Sequence, residues 1–198
     1  MAEGAPCPLF VDLSSRIDAL RDKFVRDQLA AENADPAGFT PDPDRLAAFR
    51  LLTHAEFEDF LEAKAREGLD ALENSFNGGA NSIRANVSLL VIGALLAKPP
   101  RFEESHWEAF AREVIAGARS VIKDNDGITK FSFSKLAVFS GKMPDEIDVA
   151  LTAALTAYGK KRGDVAHKSV ARVTTIRAPS AELKDADDLL KSLQSYFY

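Results

Sequence analysis

The stretch between residues 44 and 76 constrains the fold of this chain more than any other part of the sequence. Its apolar residues recur at gaps of three and four, which predicts one long helix, with a possible break near Gly68. These residues form two stripes on opposite sides of the helix. One stripe holds Ala47, Leu51, His54, Glu58, Leu61, Ala65, Leu69 and Leu72, and the other holds Leu46, Phe49, Thr53, Phe57 and Phe60. A helix that is apolar on two sides needs partners on both, so we expect it at the centre of a bundle.

Proline, glycine and aspartate clusters divide the rest of the chain into further helices. Helices are predicted from Ser14 or Ser15 to about 29, over 85–97, over 102–123, from Met143-Pro144 through Ile147, Leu151, Leu155 and Tyr158, and from Ser180 nearly to Tyr198. Residues 131–139 are ambiguous between a strand and a short helix, and 173–176 is β-like. The predicted fold class is an all-α bundle forming one domain over 1–198. It has an N-terminal helix and linker (1–42), a core (43–178) and a C-terminal helix (179–198).

Composition excludes several classes of protein. The chain has 198 residues, 46% of them hydrophobic and 28% charged, which is enough to bury a core and excludes a disordered chain. Its single cysteine, Cys7, excludes an intrachain disulfide framework and favours a reducing, cytoplasmic setting. The first residues do not resemble a signal peptide, and the longest uncharged run, 85–97, is shorter than the roughly 20 residues that span a bilayer. We therefore expect a soluble protein without a membrane partner.

The net charge of −5 conceals a local basic segment. Between Lys160 and Arg177 there are six lysines and arginines against the single acidic residue Asp164, a local charge of +5. The remainder of the chain therefore carries −10. The overall charge argues against a protein that coats nucleic acid, whereas this basic island indicates local binding of a few phosphates.

His54 and Glu58 interrupt an apolar stripe and are four residues apart, so they face each other on the predicted helix. A buried carboxylate is costly unless it is paired, so Glu58 needs a partner. An internal His–Glu contact or a core salt bridge is the favoured interpretation, and a metal site is the weaker one. The other histidines, His106 and His167, do not complete a cluster with metal-ligand spacing, so no metal and no cofactor is expected.

The basic island contains a second candidate site. Asp164 is a suitable N-cap for a new helix starting at Val165, which would place His167 in the first helical turn. There the helix dipole lowers an imidazole pKa, and free backbone N–H groups together with Arg162 suit a phosphate. The expected phosphate or RNA ligands are Lys160, Lys161, Lys168 and Arg172. A neutral imidazole beside a guanidinium suits cleavage of RNA by its own 2′-hydroxyl. The alternative is a solvated basic helix start without a function.

Three segments in order resemble the HEPN superfamily of helical nucleotide-binding domains. "KKRGDVAHKS" at 160–169 resembles its Arg-x(4–6)-His motif, and "LLTHAEFEDFLEA" at 51–63 resembles its first long helix. The path from "NDGITKFSFSKL" through "GKMPDEIDVALTAALTAYGKKRGDVAH" is similar to the RiboL-PSP-HEPN branch. The resemblance covers residues 45–167 and is carried by the conjunction of these segments.

The resemblance implies a helical bundle, often a homodimer in which two Arg–His motifs form one composite site. Many members are metal-independent endoribonucleases of toxin–antitoxin, phage-defence or RNA-processing systems, in which an antitoxin or a nucleotidyltransferase is the expected kind of partner. By the matching positions, Arg162 and His167 would be catalytic. Glu58 would orient or pair with Arg162, and Asp164 and His54 would be further supporting residues. The family commonly has a polar residue, often Asn or Asp, where this chain has Gly163, with Asp164 one place later, and this departure favours a non-catalytic member that only binds or dimerises.

The sequence therefore leads to three hypotheses. The first is a homodimeric, metal-independent endoribonuclease of the HEPN type that binds RNA. The second is a non-catalytic HEPN-like dimer that binds a nucleotide, RNA or a protein partner. The third is a structural subunit in which Arg162 contributes to stability alone.

Overall fold

The computed structural model describes residues 7–78, 82–98, 107–167 and 175–198, and for residue 167 the backbone alone. All regular structure in these ranges is helical, which confirms the prediction of an all-α fold. The helices are α1 Pro8–Phe24, α2 Arg26–Ala34, α3 Pro43–Asn77, α4 Ile83–Leu95, α5 Trp107–Lys123, α6 Lys130–Phe139, α7 Val149–His167 and α8 Pro179–Phe197, with a short 3-10 helix at Pro144–Glu146. None of the described helices combines the length and apolar character that a membrane-spanning segment requires.

The chain divides into two compact units. Unit 1 comprises Met1–Phe60 and Asp148–Tyr198, and unit 2 comprises Leu61–Ile147. The first part of α3 therefore belongs to unit 1 and its remainder to unit 2. The division does not follow the predicted segments 1–42, 43–178 and 179–198, and the prediction of a single domain stays a prediction.

Unit 1 is built around α8, which packs against α1, α2 and α7. Its central apolar cluster takes residues from α1, α3, α8 and the junction of α1 and α2, and consists of Leu20, Val25, Leu46, Phe49 and Ala186. A second contact is aromatic: the Phe60 ring meets the edges of Phe10 and Phe197 at centroid distances of 6.1 and 5.6 Å. The apolar stripe of α3 that begins at Leu46 is thus buried within unit 1, as its periodicity predicted.

Unit 2 packs α4 against α5 and α6. The ambiguous segment 131–139 is helical because Thr129 and Ser132 form a reciprocal capping box at its start. Phe133 is buried while Phe131 is 65% exposed, so the brief alternation of phenylalanines is not the pattern of a strand. Local capping, rather than side-chain alternation, decides the structure of this segment.

Several predicted boundaries are wrong for identifiable reasons. Helix α1 begins at Pro8 rather than Ser14, because proline suits the first helical turn and the Ser14 hydroxyl donates to the Phe10 carbonyl inside the helix. Helix α3 is continuous through Gly68. Thr175 and Ile176 are not in a strand, while Val173 and Thr174 lie outside the described residues.

Gly68 is required by close packing rather than by helix flexibility. A Cβ atom at this position would lie 2.3 Å from the Phe139 carbonyl oxygen and 2.5 Å from Ser140 Cα, both backbone atoms at the end of α6. We predict that Gly68→Ala lowers the free energy of unfolding by about 1–3 kcal/mol although alanine favours helix, because the backbone has to move. Urea denaturation followed by circular dichroism measures the change.

Gly163 in α7 provides the matched control for this substitution. A Cβ atom there meets nothing within 4 Å, so Gly163→Ala should stabilise the protein by up to about 1 kcal/mol. Equal effects of the two substitutions would contradict the packing argument.

Candidate functional site

A buried ion pair lies at the centre of unit 1. Arg50 on α3 is fully buried, and Glu182 on α8 is 1% exposed. The guanidinium donates two hydrogen bonds to the carboxylate, from Nη2 to Oε1 at 2.5 Å and from Nε to Oε2 at 3.1 Å. This paired arrangement is the strongest geometry available to an arginine and a carboxylate.

The remaining donors and acceptors of the pair are also used. Arg50 donates from Nη1 to the Thr175 hydroxyl at 3.0 Å and to the Lys161 carbonyl at 3.3 Å, and from Nη2 to the Thr175 carbonyl at 2.6 Å. Glu182 also accepts from the Arg177 backbone N–H at 3.0 Å. Two buried charges are tolerated where such additional bonds satisfy them. The pair thereby joins α3, α7, α8 and the segment that leads into α8.

Arg50 and Glu182 were missed in the sequence although both leave a signal there. Arg50 falls in the apolar stripe of α3, four residues after Leu46 and three before Thr53. Glu182 belongs to the buried face of α8, whose members are Pro179, Glu182, Ala186, Leu189 and Leu193. Two opposite charges, each in an apolar stripe, predict a buried ion pair.

His54 lies one turn after Arg50 and is also buried, with 1% exposure. Its ring is parallel to that of Tyr158 on α7, with the centroids 6.4 Å apart. Neither ring nitrogen has a hydrogen-bond partner within the described part of the chain. Burial, aided by the positive charge of Arg162, lowers the His54 pKa to about 4. The imidazole is therefore neutral at pH 7.

Glu58 lies beside His54, as the favoured interpretation of that pair expected. Its carboxylate Oε2 is 3.8 Å from His54 Nδ1, which is too long for a hydrogen bond. The influence of Arg162 on the His54 pKa places its charge near this pair. The expected ion pair between Glu58 and Arg162 itself stays a prediction.

Tyr158, on α7, borders the buried region around His54. It is 3% exposed, and its ring meets the edge of Phe57 at 5.9 Å. Burial, and then the negative charge of Glu182, raises the pKa of its hydroxyl. Both His54 and Tyr158 are consequently uncharged over the neutral pH range.

The prediction of a new helix starting after Asp164 is wrong. Helix α7 continues through Gly159, Gly163 and Asp164, so Asp164 is a helix-interior residue and not an N-cap. Packing outweighs the low helix propensity of the two glycines, since Leu151, Leu155, Tyr158 and Val165 are buried along the same helix. His167 is the last residue of α7 rather than part of a first turn.

This correction removes the physical argument for an anion site at a helix start. The C-terminal end of a helix carries the negative end of the dipole and free carbonyl groups. It does not offer free backbone N–H groups to a phosphate. Residues 162 and 167 are also about 140° apart around the helix and about 7.5 Å along it, so they do not share a face. The His167 side chain, Lys168 and Arg172 lie outside the described residues.

The basic island is partly neutralised within unit 1. Lys160 is exposed, but Lys161 donates from Nζ to Asp185 Oδ2 at 2.5 Å. The Arg177 guanidinium donates to the same oxygen. Burial of the Asp185 carboxyl opposes its ionisation, but the hydrogen bonds from Lys161 and Arg177 outweigh burial and lower its pKa. Asp185 and Arg177 are further residues that the sequence did not bring forward.

A groove of about 230 Å³ lies between α7 and α8 beside this cluster. Ala154, Ala157 and Leu189 supply its apolar lining, and Lys161, Asp185 and Asp188 its charges. Within the described ranges, no three His, Cys, Asp or Glu side chains are grouped so as to hold a metal ion. The groove is thus a polar-edged site beside Lys161, which precedes the predicted Arg162 in the sequence.

Comparisons with known protein families, with curated proteins and with solved structures found no match to this chain. The resemblance to the HEPN superfamily therefore rests on the motifs in the sequence. The all-helical fold agrees with it but does not distinguish it from other helical bundles.

The buried ion pair generates the first prediction for this site. Arg50→Met leaves the Glu182 carboxylate buried without its main partner, so we expect a loss of about 3–5 kcal/mol in the free energy of unfolding. Combining Arg50→Met with Glu182→Leu should recover part of that loss, because neither charge then remains. Chemical denaturation of the two single variants and the double variant measures the coupling. Additive losses would contradict direct pairing.

His54 generates a prediction about pH. The unfolded chain binds a proton below about pH 6.5, whereas folded His54 stays neutral down to about pH 4. The stability that neutral His54 contributes is thus complete above pH 6.5 and declines as the pH falls towards 4, by at most about 3 kcal/mol. His54→Leu should remove this decline in urea denaturation series from pH 7 to 4.

Thr53→Val is the matched control, since Thr53 is equally buried and does not titrate. Its effect should be independent of pH. A His54→Leu variant whose pH profile parallels that of the unsubstituted protein would show that folding does not lower the His54 pKa.

Proposed function

We propose that this chain is a metal-independent endoribonuclease of the HEPN type that acts as a homodimer. One observation carries the proposal: Arg162 on α7 lies within electrostatic reach of His54, which is 3.8 Å from Glu58 on α3. Three of the residues that the resemblance selects, His54, Glu58 and Arg162, thus lie in the same part of unit 1. The basic island and the uncharged, buried side chains of His54 and Tyr158 also support the proposal.

In this proposal Arg162 holds the scissile phosphate and stabilises the negative charge that develops on it. His167 takes the proton from the 2′-hydroxyl, whose oxygen attacks the adjacent phosphorus, and the bond from phosphorus to the 5′ oxygen of the next nucleotide breaks as the protonated His167 returns that proton to the leaving oxygen. The products are a 2′,3′-cyclic phosphate and a 5′-hydroxyl. His54 does not take part in proton transfer, because it is buried away from solvent and its pKa of about 4 makes it a weak base.

The geometry of α7 favours a dimer in this proposal. Residues 162 and 167 lie about 140° apart around one helix, so their backbone positions do not share a face, which favours a site completed by a second copy. A second copy related by twofold symmetry would bring the Arg162 of one protomer and the His167 of its partner towards a shared cleft. Sedimentation of the active species should therefore correspond to a dimer.

The continuity of α7 also favours a second candidate, a non-catalytic dimer that binds RNA or a nucleotide. The separation of residues 162 and 167, together with Gly163 in place of the polar residue common in the family, argues for binding without turnover. In this candidate the basic island grips phosphates, and no proton is transferred.

Cleavage of a mixed RNA pool in EDTA tests the proposal. We expect the purified protein to cleave RNA, and His167→Ala and Arg162→Ala each to lower the rate at least 100-fold, because each removes a group that acts in the transition state. Arg26→Ala is the matched control: Arg26 is a strongly exposed arginine of α2 and should be dispensable.

The outcomes separate the hypotheses. Equal cleavage by the unsubstituted protein and His167→Ala, or cleavage that requires a metal ion, would overturn the nuclease. RNA binding without cleavage would establish the second candidate. If Arg162→Ala changes the free energy of unfolding and leaves RNA binding and cleavage as they were, Arg162 is purely structural.

A further inference from the structure

Two cations from different segments of unit 1 converge on one carboxylate oxygen. Lys161 Nζ, on α7, and Arg177 Nη2, just before α8, both donate to Asp185 Oδ2. The three side chains are partly exposed, at 32%, 45% and 26%. The cluster therefore lies at the surface, where a ligand from solution can reach it.

This arrangement suits a phosphate oxygen as well as a carboxylate oxygen. Both are compact anionic acceptors, and lysine and arginine are the side chains that most often bind them. The cluster carries two positive charges and one negative charge, so one positive charge remains for a further anion. The adjoining groove between α7 and α8 gives a ligand room beside Asp185.

We propose that Lys161 and Arg177 form a phosphate-binding pair for single-stranded RNA, and that Asp185 occupies this pair until RNA displaces it. The proposal rests on the RNA substrate proposed above and adds a binding subsite with an internal competitor. It assigns Lys161 the phosphate contact expected from the sequence, adds Arg177, and gives Asp185 the role of the anion that RNA replaces.

Asp185 is suited to this competition because it stays ionised. Its hydrogen bonds with Lys161 and Arg177 outweigh burial and lower its pKa, so the carboxylate is ionised at neutral pH. Two further hydrogen bonds restrict the position of Arg177. Its guanidinium donates to the Ala181 carbonyl at 3.4 Å, and its backbone N–H donates to the Glu182 carboxylate. The backbone of Arg177 is thus held in place while its guanidinium exchanges one anion for another.

The test measures binding of a fluorescein-labelled, 2′-O-methylated RNA of about 12 nucleotides by fluorescence anisotropy in EDTA. Such an RNA lacks the attacking hydroxyl, so binding is read without cleavage. Asp185→Asn removes the competitor while keeping the shape of the side chain. We expect an affinity at least about fivefold higher at roughly 50 mM salt, and a salt dependence steeper by about 0.7 in log–log slope, the value for one additional phosphate contact.

Asp188→Asn is the matched control. Asp188 also edges the groove, three residues along α8, but its carboxylate pairs with Lys184 rather than with Lys161 or Arg177. The Asp188→Asn substitution removes the same charge from the same helix, so we expect it to raise the RNA affinity by less than about twofold. Adding Lys161→Gln to Asp185→Asn should abolish the gain. An equal gain in Asp188→Asn, or no gain in Asp185→Asn, overturns the proposal.

Two further measurements complete the test. If Asp185→Asn does not fold, Lys161→Gln and Arg177→Gln are compared with the unsubstituted protein, and each should weaken RNA binding and lower the salt slope. Unchanged binding in both overturns the proposal. Inorganic phosphate is titrated in parallel, and a gain in Asp185→Asn for phosphate but not for RNA overturns the assignment to an RNA backbone.

The result is distinguishable from that of the nuclease proposal. If the protein cleaves RNA but Asp185→Asn gains no affinity, the subsite is wrong and the nuclease stands. If RNA is not cleaved but Asp185→Asn gains affinity as described, the nuclease falls and the subsite belongs to a non-catalytic RNA-binding protein.

Discussion

The buried pair of Arg50 and Glu182 is the interaction on which the arrangement of unit 1 depends. Through Thr175, the Lys161 carbonyl and the Arg177 backbone it fixes the middle of α7 and the start of α8 relative to α3. The desolvation of two charges opposes folding, so the pair stabilises unit 1 only when all of these partners are in place. It therefore selects one packing of three helices, and that packing determines where Lys161, Arg162 and Asp185 lie.

The same interior sets which groups can carry charge at the surface. His54 and Tyr158 are buried next to the ion pair, and burial keeps both uncharged at neutral pH. Arg162 lies one turn beyond Tyr158 and is partly exposed. Its positive charge therefore lies at the edge of the region that holds the uncharged side chains of His54 and Tyr158. Another residue therefore has to transfer the proton in the proposed reaction, and the proposal assigns this role to His167.

The sequence predicted the helices of this fold well and their interruptions less well. Strong periodicity identified α3, α5 and α8, because burial of one face dominates their stability. The predicted break at Gly68 and the predicted N-cap at Asp164 failed, since tertiary packing of α3 against α6 and of α7 along its buried face overrides local propensity. His54 and Glu58 were recognised because they interrupt a stripe. Arg50 was passed over, although it interrupts the other stripe in the same way, and its partner lies 132 residues away.

The charge of the basic island is less available than its composition suggests. The local charge of +5 counts only the side chains between Lys160 and Arg177. In the fold, Asp185, which lies outside this segment, pairs with Lys161 and Arg177 and neutralises part of their charge. An RNA that binds here has to replace that carboxylate, so part of the attraction between RNA and cations is offset by the loss of an existing ion pair. Affinity for any single phosphate is then modest, and a segment of RNA has to meet several cations at once. This favours recognition of a short stretch of chain at one edge of α7 over retention of free phosphate.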